Sequence, residues 1–325
     1  MGGGTGQRSW CTRPQFLLPA AGAAAIGAVA IGRGRDSVGS WVTEDGRAEY
    51  LEAYGRAFEA MPEPDEVFDL QTTFGVVRAY RFAGSGEGLP TVLLPGRGGA
   101  SPTFAVNIPP LLELGDVYSL DLLGDPGMSV QEQPINDDAD QASWLHQALS
   151  QLPSEKLHLM GVSIGGWAAA NLARHHPESI RALTLVDPVF VFDSIPLGTV
   201  LRSIPASVPW MPQSWRDRFN SYIAGGAPTD DSPGAQMLEA GQRTFRIRLP
   251  APRRIRPAEL EHLSMPVLVI LAGKSVMLNP PAAAESADRT LKQGTVQVHS
   301  GASHVVNAEH PAQIAEDVDS FLHRI

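Results

Sequence analysis

Cysteine is almost absent from this chain, in which Cys11 is the only one among 325 residues. A single cysteine excludes an intramolecular disulfide and any metal site built from several thiolates. Its position ahead of the predicted folded part also makes it a poor candidate for a nucleophile. We therefore predict neither a metal nor a cofactor. One cysteine does not determine whether the protein belongs to an oxidising or a reducing compartment.

Positive charge is scarce as well: 25 Lys and Arg stand against 35 Asp and Glu, for a formal net charge of -10. This balance argues against nucleic acid as a partner, because phosphate binding needs a positive field. Basic residues do cluster in "RTFRIRLPAPRRIRP" at 243–257. We interpret this run as a solvated face, since its prolines interrupt any continuous helix.

Long apolar runs are missing, apart from "FLLPAAGAAAIGAVAIG" at 16–32. Arg8 and Arg13 precede it, and "AVA" at 28–30 offers a small-residue cleavage site, as in an export signal. As a membrane anchor the run would reach roughly 25 Å, slightly short of a hydrocarbon core. We therefore expect residues 1–35 to be a signal peptide or anchor, the protein to be exported or membrane-anchored, and 16–32 to allow membrane association.

The remaining chain alternates short apolar runs with amphipathic stretches, which predicts β-α units and a mostly parallel sheet. A helix is expected at 44–61, and a hairpin at 67–84 is expected to turn near Gly75. Hydrophobic residues make up 43% of the chain, enough for a sizeable core. Strands are predicted at 91–95, 117–123, 156–162, 180–189, 266–273 and 295–301.

This alternation is interrupted between Phe192 and about Leu263, where Pro, Trp, Gly and Arg occur in irregular helical pieces. A structureless connection of that length is improbable in a compact domain, so we predict an inserted helical cap. Trp210 and Trp215 are expected to line a substrate pocket beneath it. The predicted division is an N-terminal helical segment at 36–64, a first core part at 65–191, the cap at 192–263, and a second core part at 264–325.

A serine stands at the end of one predicted strand, in the sequence Gly161-Val162-Ser163-Ile164-Gly165. Strand, Gly-x-Ser-x-Gly and helix, in that order, are typical of a nucleophile elbow. Glycines are needed where a Cβ would collide in so tight a turn. We expect the helix dipole and the Ile164 amide to face negative charge developing on an attacked carbonyl.

A serine hydroxyl is a weak nucleophile and needs a base, usually histidine. His304 lies in "VHSGASHVVNAEHP", a loop just after the last predicted strand. That place fits the chain order serine, acid, histidine. Other histidines fit less well: His299 lies within a strand pattern, and several more stand beside prolines.

A second donor to the oxyanion is expected from the Gly-rich stretch "LLPGRGGASPTF" at 93–104. The backbone amide of Arg97 or Gly98 is the candidate, and Gly98 is also assigned to substrate binding. The same stretch lacks the G-x-x-x-x-G-K-[ST] spacing, so we discount it as a phosphate cradle.

Five motifs follow one another in a familiar order: "TVLLPGRGG", "VYSLDLLGDPGMS", "MGVSIGG", "PVLVILAG" and "GASH". Over about residues 65–325 the chain resembles the α/β-hydrolase superfamily, and within it the capped bacterial carboxylesterase-like hydrolases. The resemblance implies an eight-stranded sheet, a cap after the sixth strand, and acyl transfer to water by a Ser-His-acid triad. Asp121 and Asp125 then belong to a turn that shapes the edge of the site.

Two positions depart from the family pattern. Pro95-Gly96 replaces the common His-Gly, which changes a side chain but spares the backbone amides. More seriously, "LAGKSVMLNP" has Ser275 where an acid is expected after the seventh strand.

An acid is still needed, because the histidine must be held in one tautomer and its cation stabilised. Asp187 in "LTLVDPVF", at the end of the sixth strand, projects from the same edge of the sheet as the nucleophile. A structural role in the following turn is the alternative for it. Asp193 is the next candidate, and a degenerate triad with Ser275 or Asn279 orienting His304 is the third.

These features predict a serine hydrolase that cleaves the carboxylic ester of a small molecule through an acyl-enzyme on Ser163. The Trp-bearing cap favours a medium-sized hydrophobic acyl or aryl group. Lactonase, thioesterase or amidase activity stays open, because pocket shape decides the leaving group. A weak or inactive binding or signalling protein on the same fold is the competing class; a membrane-tethered structural protein would leave the elbow unexplained. The oligomeric state is undetermined.

Overall fold

The structure is a computed structural model that describes residues 37–206, 212–228 and 231–325. Its strands are β1 (Ser40–Trp41), β2 (Glu66–Thr72), β3 (Gly75–Phe82), β4 (Thr91–Leu94), β5 (Val117–Leu120), β6 (Val130–Gln131), β7 (Leu157–Val162), β8 (Ile180–Val186), β9 (Phe245–Arg246), β10 (Val267–Ala272) and β11 (Gly294–His299). Its α-helices are α1 (Glu44–Phe58), α2 (Ile108–Leu111), α3 (Asp138–Leu149), α4 (Ile164–His175), α5 (Leu197–Ala206), α6 (Gln213–Ile223), α7 (Pro233–Thr244), α8 (Pro257–Leu260), α9 (Pro280–Thr290), α10 (Val306–Glu309) and α11 (Pro311–Leu322).

The central sheet has the strand order β11-β10-β8-β7-β4-β5-β3-β2. Pairings from β11 to β5 are parallel, whereas β3 and β2 join antiparallel. The predicted mostly parallel α/β sheet is therefore confirmed. The two-residue strand β6, which pairs with β3 off this path, was not predicted.

Helices cover both faces of the sheet, and this explains the sequence pattern of its middle strands. Every residue of β4, β7 and β10 is buried. A strand covered on both faces carries a continuous apolar run instead of an alternating one. Trp144 and Trp167 belong to the core on one face of the sheet, and Tyr50 and Phe321 belong to the core on the other.

The first hairpin forms as predicted between β2 and β3. Thr72 pairs with Gly75, whose φ of +134° lies outside the range that side chains tolerate. A Cβ there would also stand 2.1 Å from the carbonyl oxygen of Val130. Glycine at this turn is therefore required by both conformation and space.

Helices α5 to α8 occupy the segment between β8 and β10 where a cap is predicted. The short strand β9 follows α7 and pairs antiparallel with β1, which precedes α1. The rings of Trp41 and Phe245 pack edge to face across this pair, with centroids 4.8 Å apart. This small sheet ties the start of the described chain to the end of α7, and the predicted domain boundaries stay a prediction.

The basic run at 243–257 is divided between exposed and paired side chains. Arg253 and Arg256 both donate to the carboxylate of Glu259, from 2.9 and 3.1 Å. Hydrogen bonds from Arg253 are the main cause that lowers the pKa of Glu259 far below its usual range. Part of this run is therefore an ion-pair network and not a free cationic surface.

The predicted export signal or membrane anchor needs correction. Residues 16–32, on which it rested, lie outside the described residues. Within the described ranges no helix is both long and apolar enough to cross a bilayer. The longest of them, α1, has 15 residues, whereas a hydrocarbon core needs about 20. The predicted exported or membrane-anchored location is wrong on this finding.

A histidine lies inside the sheet. His158 of β7 is fully buried, and its ring nitrogens hydrogen-bond the hydroxyls of Thr91 at 3.0 Å and Thr184 at 2.7 Å. Burial lowers the pKa of His158 from 6.5 to about 3. The ring is therefore neutral and joins three neighbouring strands.

Below pH 6.5 the unfolded chain protonates this histidine while the folded chain does not, so acidification destabilises the fold. Between pH 6.5 and 4.5 the wild type should lose about 2 to 3 kcal/mol more unfolding free energy than His158→Gln, at roughly 1.4 kcal/mol per pH unit. Urea unfolding at both pH values measures this. His262→Gln, at the surface, is the control, and equal losses in all three proteins would contradict the prediction.

Candidate active site

Ser163 stands between the last residue of β7 and the first residue of α4. Its backbone adopts φ +55° and ψ -114°, a conformation that L residues avoid and that the surrounding structure must impose. Its amide donates to the carbonyl of Val186 at 2.9 Å, which links the turn to β8. The side chain is buried but for 7% of its surface.

Close backbone contacts explain the glycines beside this serine. A Cβ on Gly161 would lie 2.3 Å from the carbonyl oxygen of Gly165. A Cβ on Gly165 would lie 2.1 Å from the carbonyl oxygen of Leu94 in β4. Both distances are shorter than any van der Waals contact, so only glycine lets α4 start this close to the sheet.

The structure brings Ser163, His304 and Asp187 together. The His304 Nε2 lies 2.9 Å from the Ser163 Oγ, and its Nδ1 lies 2.5 Å from the Asp187 Oδ2. A carboxylate only accepts hydrogen bonds, so Nδ1 carries the proton and Nε2 is free to accept from the serine. The three residues follow β7, β8 and β11, whose carboxyl ends share one edge of the sheet.

Asp187 is fully buried and has a φ of +41°. Its Oδ1 accepts from the Ala272 amide at 2.9 Å, and its Oδ2 accepts from the Ser275 hydroxyl at 2.6 Å as well as from His304. A buried carboxylate is costly unless hydrogen bonds replace its water. Three donors meet that need here.

The other candidates for the acid are engaged elsewhere. Asp193 accepts from the amides of Ser194 and Asn279, at 2.8 and 2.9 Å. Asn279 caps the N-terminus of α9 through the Ala282 amide. Ser275 contacts Asp187, so the hydroxyl at the expected acid position supports a carboxylate from the neighbouring strand.

The backbone amides of Arg97 and Ile164, the predicted oxyanion donors, make no loop or turn hydrogen bond to a backbone carbonyl among the described residues. The Ile164 amide opens α4, where helix N–H groups lack partners within the helix. The loop of Arg97 lies against the nucleophile, since a Cβ on Gly96 would stand 3.6 Å from the Cβ of Ser163.

The sequence left the amide of Arg97 or of Gly98 as the oxyanion donor, and the structure corrects the second alternative, because the Gly98 amide is already hydrogen-bonded. It donates to the Asp125 Oδ1 at 2.9 Å. Asp125 also receives the Arg97 guanidinium at 2.7 Å, in a largely buried ion pair. Burial raises the pKa of the Asp125 carboxyl, and Arg97 and the Gly98 amide oppose that rise. Asp125 thus fixes the loop from both sides, while the substrate-binding role of Gly98 stays a prediction.

Asp121 holds the next part of the same loop. Its Oδ1 accepts from the amide and hydroxyl of Ser101, both at 2.7 Å. Its Oδ2 accepts from the Met128 amide at 2.8 Å and the Tyr54 hydroxyl at 3.0 Å. Burial raises the pKa of Asp121, against these hydrogen bonds. Both aspartates thus act as supports of turns.

The predicted pocket residues of the cap are only partly described. Trp210 lies outside the described residues. Trp215 on α6 is 42% exposed, and the Arg218 Cζ lies 5.9 Å from its ring centroid. A role of Trp215 in substrate binding stays a prediction.

Glu309 is a support that the sequence did not point to. It accepts from the amide of Ser303 at 2.8 Å and from its hydroxyl at 2.7 Å. Since Ser303 precedes His304, this carboxylate fixes the loop that carries His304. The only available signal was a glutamate six residues beyond a serine, which is too common to interpret.

Within the described part of the chain, one group outside this site has ligands suited to a metal ion: His146, His176 and Glu178. The two imidazole rings are stacked, with centroids 4.1 Å apart and planes within 8°. An imidazole binds a metal in its ring plane, so two stacked parallel rings cannot both direct a nitrogen at one ion. In this arrangement the group is a ring stack and not a metal centre.

Known proteins resemble this chain in sequence and in fold. A family model described as the alpha/beta hydrolase fold matches residues 90–225. The crystal structure of naproxen esterase (carboxylesterase NP) from Bacillus subtilis superposes with a TM-score of 0.77 at 23% identity, covering 85% of this chain and 98% of that one. The chain has the α/β-hydrolase fold.

Sequence relatives of this chain include two proteins of Bacillus subtilis (strain 168). Carboxylesterase YbfK is 24% identical and covers 89% of this chain and 98% of its own length. The uncharacterized carboxylesterase nap is 23% identical, with coverages of 86% and 93%. The resemblance to carboxylesterase-like α/β hydrolases is thereby confirmed.

The elbow geometry predicts a sharp difference between two glycine substitutions. Gly165→Ala places a Cβ against the β4 backbone and should lower the free energy of unfolding by about 3 kcal/mol or more, or prevent folding. Gly55→Ala is the control, because an added Cβ meets nothing within 4 Å on the surface of α1. It should raise stability by about 0.5 to 1 kcal/mol. Urea unfolding measures both, and a stable Gly165→Ala protein would contradict the prediction.

Proposed function

We propose that this α/β hydrolase cleaves carboxylic esters in two steps, with Ser163 as nucleophile, His304 as general base and acid, and Asp187 as the residue that orients the histidine. The observation that carries the proposal is the unbroken hydrogen-bonded series from the Ser163 hydroxyl through both nitrogens of His304 to a buried carboxylate. Each member lies within the reach that proton transfer requires.

In the first step the Ser163 Oγ bonds to the ester carbonyl carbon and its proton passes to the His304 Nε2. The cation that forms on the ring is stabilised by the Asp187 carboxylate at Nδ1. The carbonyl oxygen becomes an oxyanion and accepts hydrogen bonds from the amides of Arg97 and Ile164. The carbon–oxygen bond to the alcohol then breaks, and His304 returns the proton to the departing oxygen.

In the second step water takes the place of the alcohol. His304 accepts a proton from the water as its oxygen bonds to the acyl carbon, and the same two amides receive the second oxyanion. Collapse of this intermediate returns the proton to Ser163 and releases the carboxylic acid. No group other than the three side chains and the two amides is needed in either step.

Ester hydrolysis by an α/β hydrolase is also supported by the carboxylesterases among the relatives. The proposed substrate is a small-molecule ester with a medium-sized hydrophobic acyl or aryl group, a choice supported by the aromatic residues in the cap segment. Lactones, thioesters and amides are alternatives for the same triad, since the shape of the pocket decides among them. Comparing their turnover with that of a matched ester distinguishes these classes.

Labelling of Ser163 tests the proposal. A fluorophosphonate should label the wild type, which should also hydrolyse p-nitrophenyl butyrate. Ser163→Ala should lose the label and reduce kcat by about 10³-fold or more, because the nucleophile is removed. Mass spectrometry of the labelled peptide and steady-state kinetics are the measurements. A folded wild type that neither reacts nor turns over would favour the binding or signalling protein.

The choice of acid has its own test. Asp187→Asn should reduce kcat by about 10⁴-fold, because an amide no longer stabilises the histidine cation or its reactive tautomer. Asp193→Asn is the matched control and should stay within a few-fold of the wild type, since Asp193 supports the start of α9. Kinetics with p-nitrophenyl butyrate decide between the two. A larger loss of kcat in Asp193→Asn than in Asp187→Asn would identify Asp193 as the acid instead.

A further inference from the structure

Ser275 lies in the turn after β10, next to the site but outside the proposed triad. Its side chain is almost fully buried. Its hydroxyl oxygen lies 2.6 Å from the Asp187 Oδ2 and accepts a hydrogen bond from the Met277 amide at 3.2 Å. The amide uses a lone pair of the hydroxyl, so the single hydroxyl proton is directed at the carboxylate.

We infer that Ser275 is a positioning residue for the reaction proposed above: its hydroxyl holds the Asp187 carboxylate against the Nδ1 of His304. The inference rests on the proposed function and assigns Ser275 no contact with the substrate. Ser275 occupies the position after β10 where an acid is expected from the sequence. Its hydroxyl acts on His304 indirectly, through the Asp187 carboxylate of the neighbouring strand.

Asp187 needs such a restraint because its backbone is strained. With a φ of +41° it lies in the left-handed region, which residues other than glycine seldom adopt. Its Oδ1 is held by the Ala272 amide of β10. Without Ser275 the Oδ2 would be bound only by His304, the ring that it has to orient, so the ring and carboxylate could turn together.

The turn that carries Ser275 is itself fixed from two sides. The Ser275 amide donates to the Ala272 carbonyl at 3.0 Å. On the other side, the buried hydroxyl of Thr199 on α5 donates to the carbonyl of Val276 at 2.5 Å. The hydroxyl of Ser275 therefore approaches Asp187 from a rigid support, which is what a positioning role requires.

The expected effect of Ser275→Ala is a fall in kcat of about 10- to 100-fold with KM little changed, the cost of one hydrogen bond to a charged group. Ser275→Thr keeps a hydroxyl at the same place and should recover most of the loss. Ser119→Ala is the matched control, because Ser119 is a fully buried serine of β5 whose hydroxyl has no partner among the described residues. Its kcat should equal that of the wild type.

The experiment measures kcat and KM with p-nitrophenyl butyrate. Fluorophosphonate titration counts the active sites, so that kcat is expressed per active site and unfolded molecules do not lower it. A double-mutant cycle with Asp187→Asn is the decisive part. If Ser275 acts through Asp187, removing it in the Asp187→Asn background should change kcat by no more than about twofold. An effect of equal size in both backgrounds, or a wild-type kcat per titrated site in Ser275→Ala, would overturn the inference.

Failure of this inference is distinguishable from failure of the proposed function. If the wild type is not labelled and Ser163→Ala matches its turnover, the proposed function is wrong, and the positioning role of Ser275, which rests on it, is wrong as well. If Ser163→Ala is inactive while Ser275→Ala matches the wild type at each titrated site, the triad stands and only the positioning role of Ser275 is removed. A lower melting temperature with unchanged kcat per site would identify Ser275 as a purely structural residue.

Discussion

The buried carboxylate of Asp187 is the constraint on which the arrangement of the site depends. A fully buried charge is stable only where donors replace water, and here they come from β10, from the turn after it and from the loop after β11. These elements are neighbours in the sheet and far apart in the chain: Ser275 and Asp187 are separated by 88 positions. Satisfying one carboxylate therefore requires the whole carboxyl edge of the sheet to be in register.

Backbone strain is concentrated at the same edge. Among the described residues other than glycine, positive φ values occur at Ser163, Asp187 and Phe190. Each follows a buried parallel strand, β7 in the first case and β8 in the other two. Such conformations cost roughly 1 to 3 kcal/mol each and persist where surrounding packing holds them. The buried carboxyl ends of β7 and β8 provide that packing, and as a result Ser163 and Asp187 both contact His304.

Two further buried carboxylates, Asp121 and Asp125, support the loop of Arg97 in the way that Ser275 and Glu309 support Asp187 and the loop of His304. Asp125 holds the loop through the Arg97 side chain and the Gly98 amide, and Asp121 holds the part of it that follows, through Ser101. The Arg97 side chain and the Gly98 amide are both bound to Asp125, and the Arg97 amide between them is the one that we propose as an oxyanion donor. Support of this kind lets a loop present a donor without reorganising during the reaction.

Local patterns in the sequence determined the order of strands and helices, the hairpin at Gly75, and the elbow at Ser163, since each depends on residues close together in the chain. The two-residue strands were beyond such patterns, because they have no periodicity. Which carboxylate contacts His304 was decided only by tertiary structure. The sequence placed Asp187 ahead of Asp193, with a degenerate triad as the third alternative, and the folded positions of β8, β10 and β11 bring Asp187 to His304. A residue's neighbours across a sheet depend on strand order, and strand order is a property of the folded chain alone.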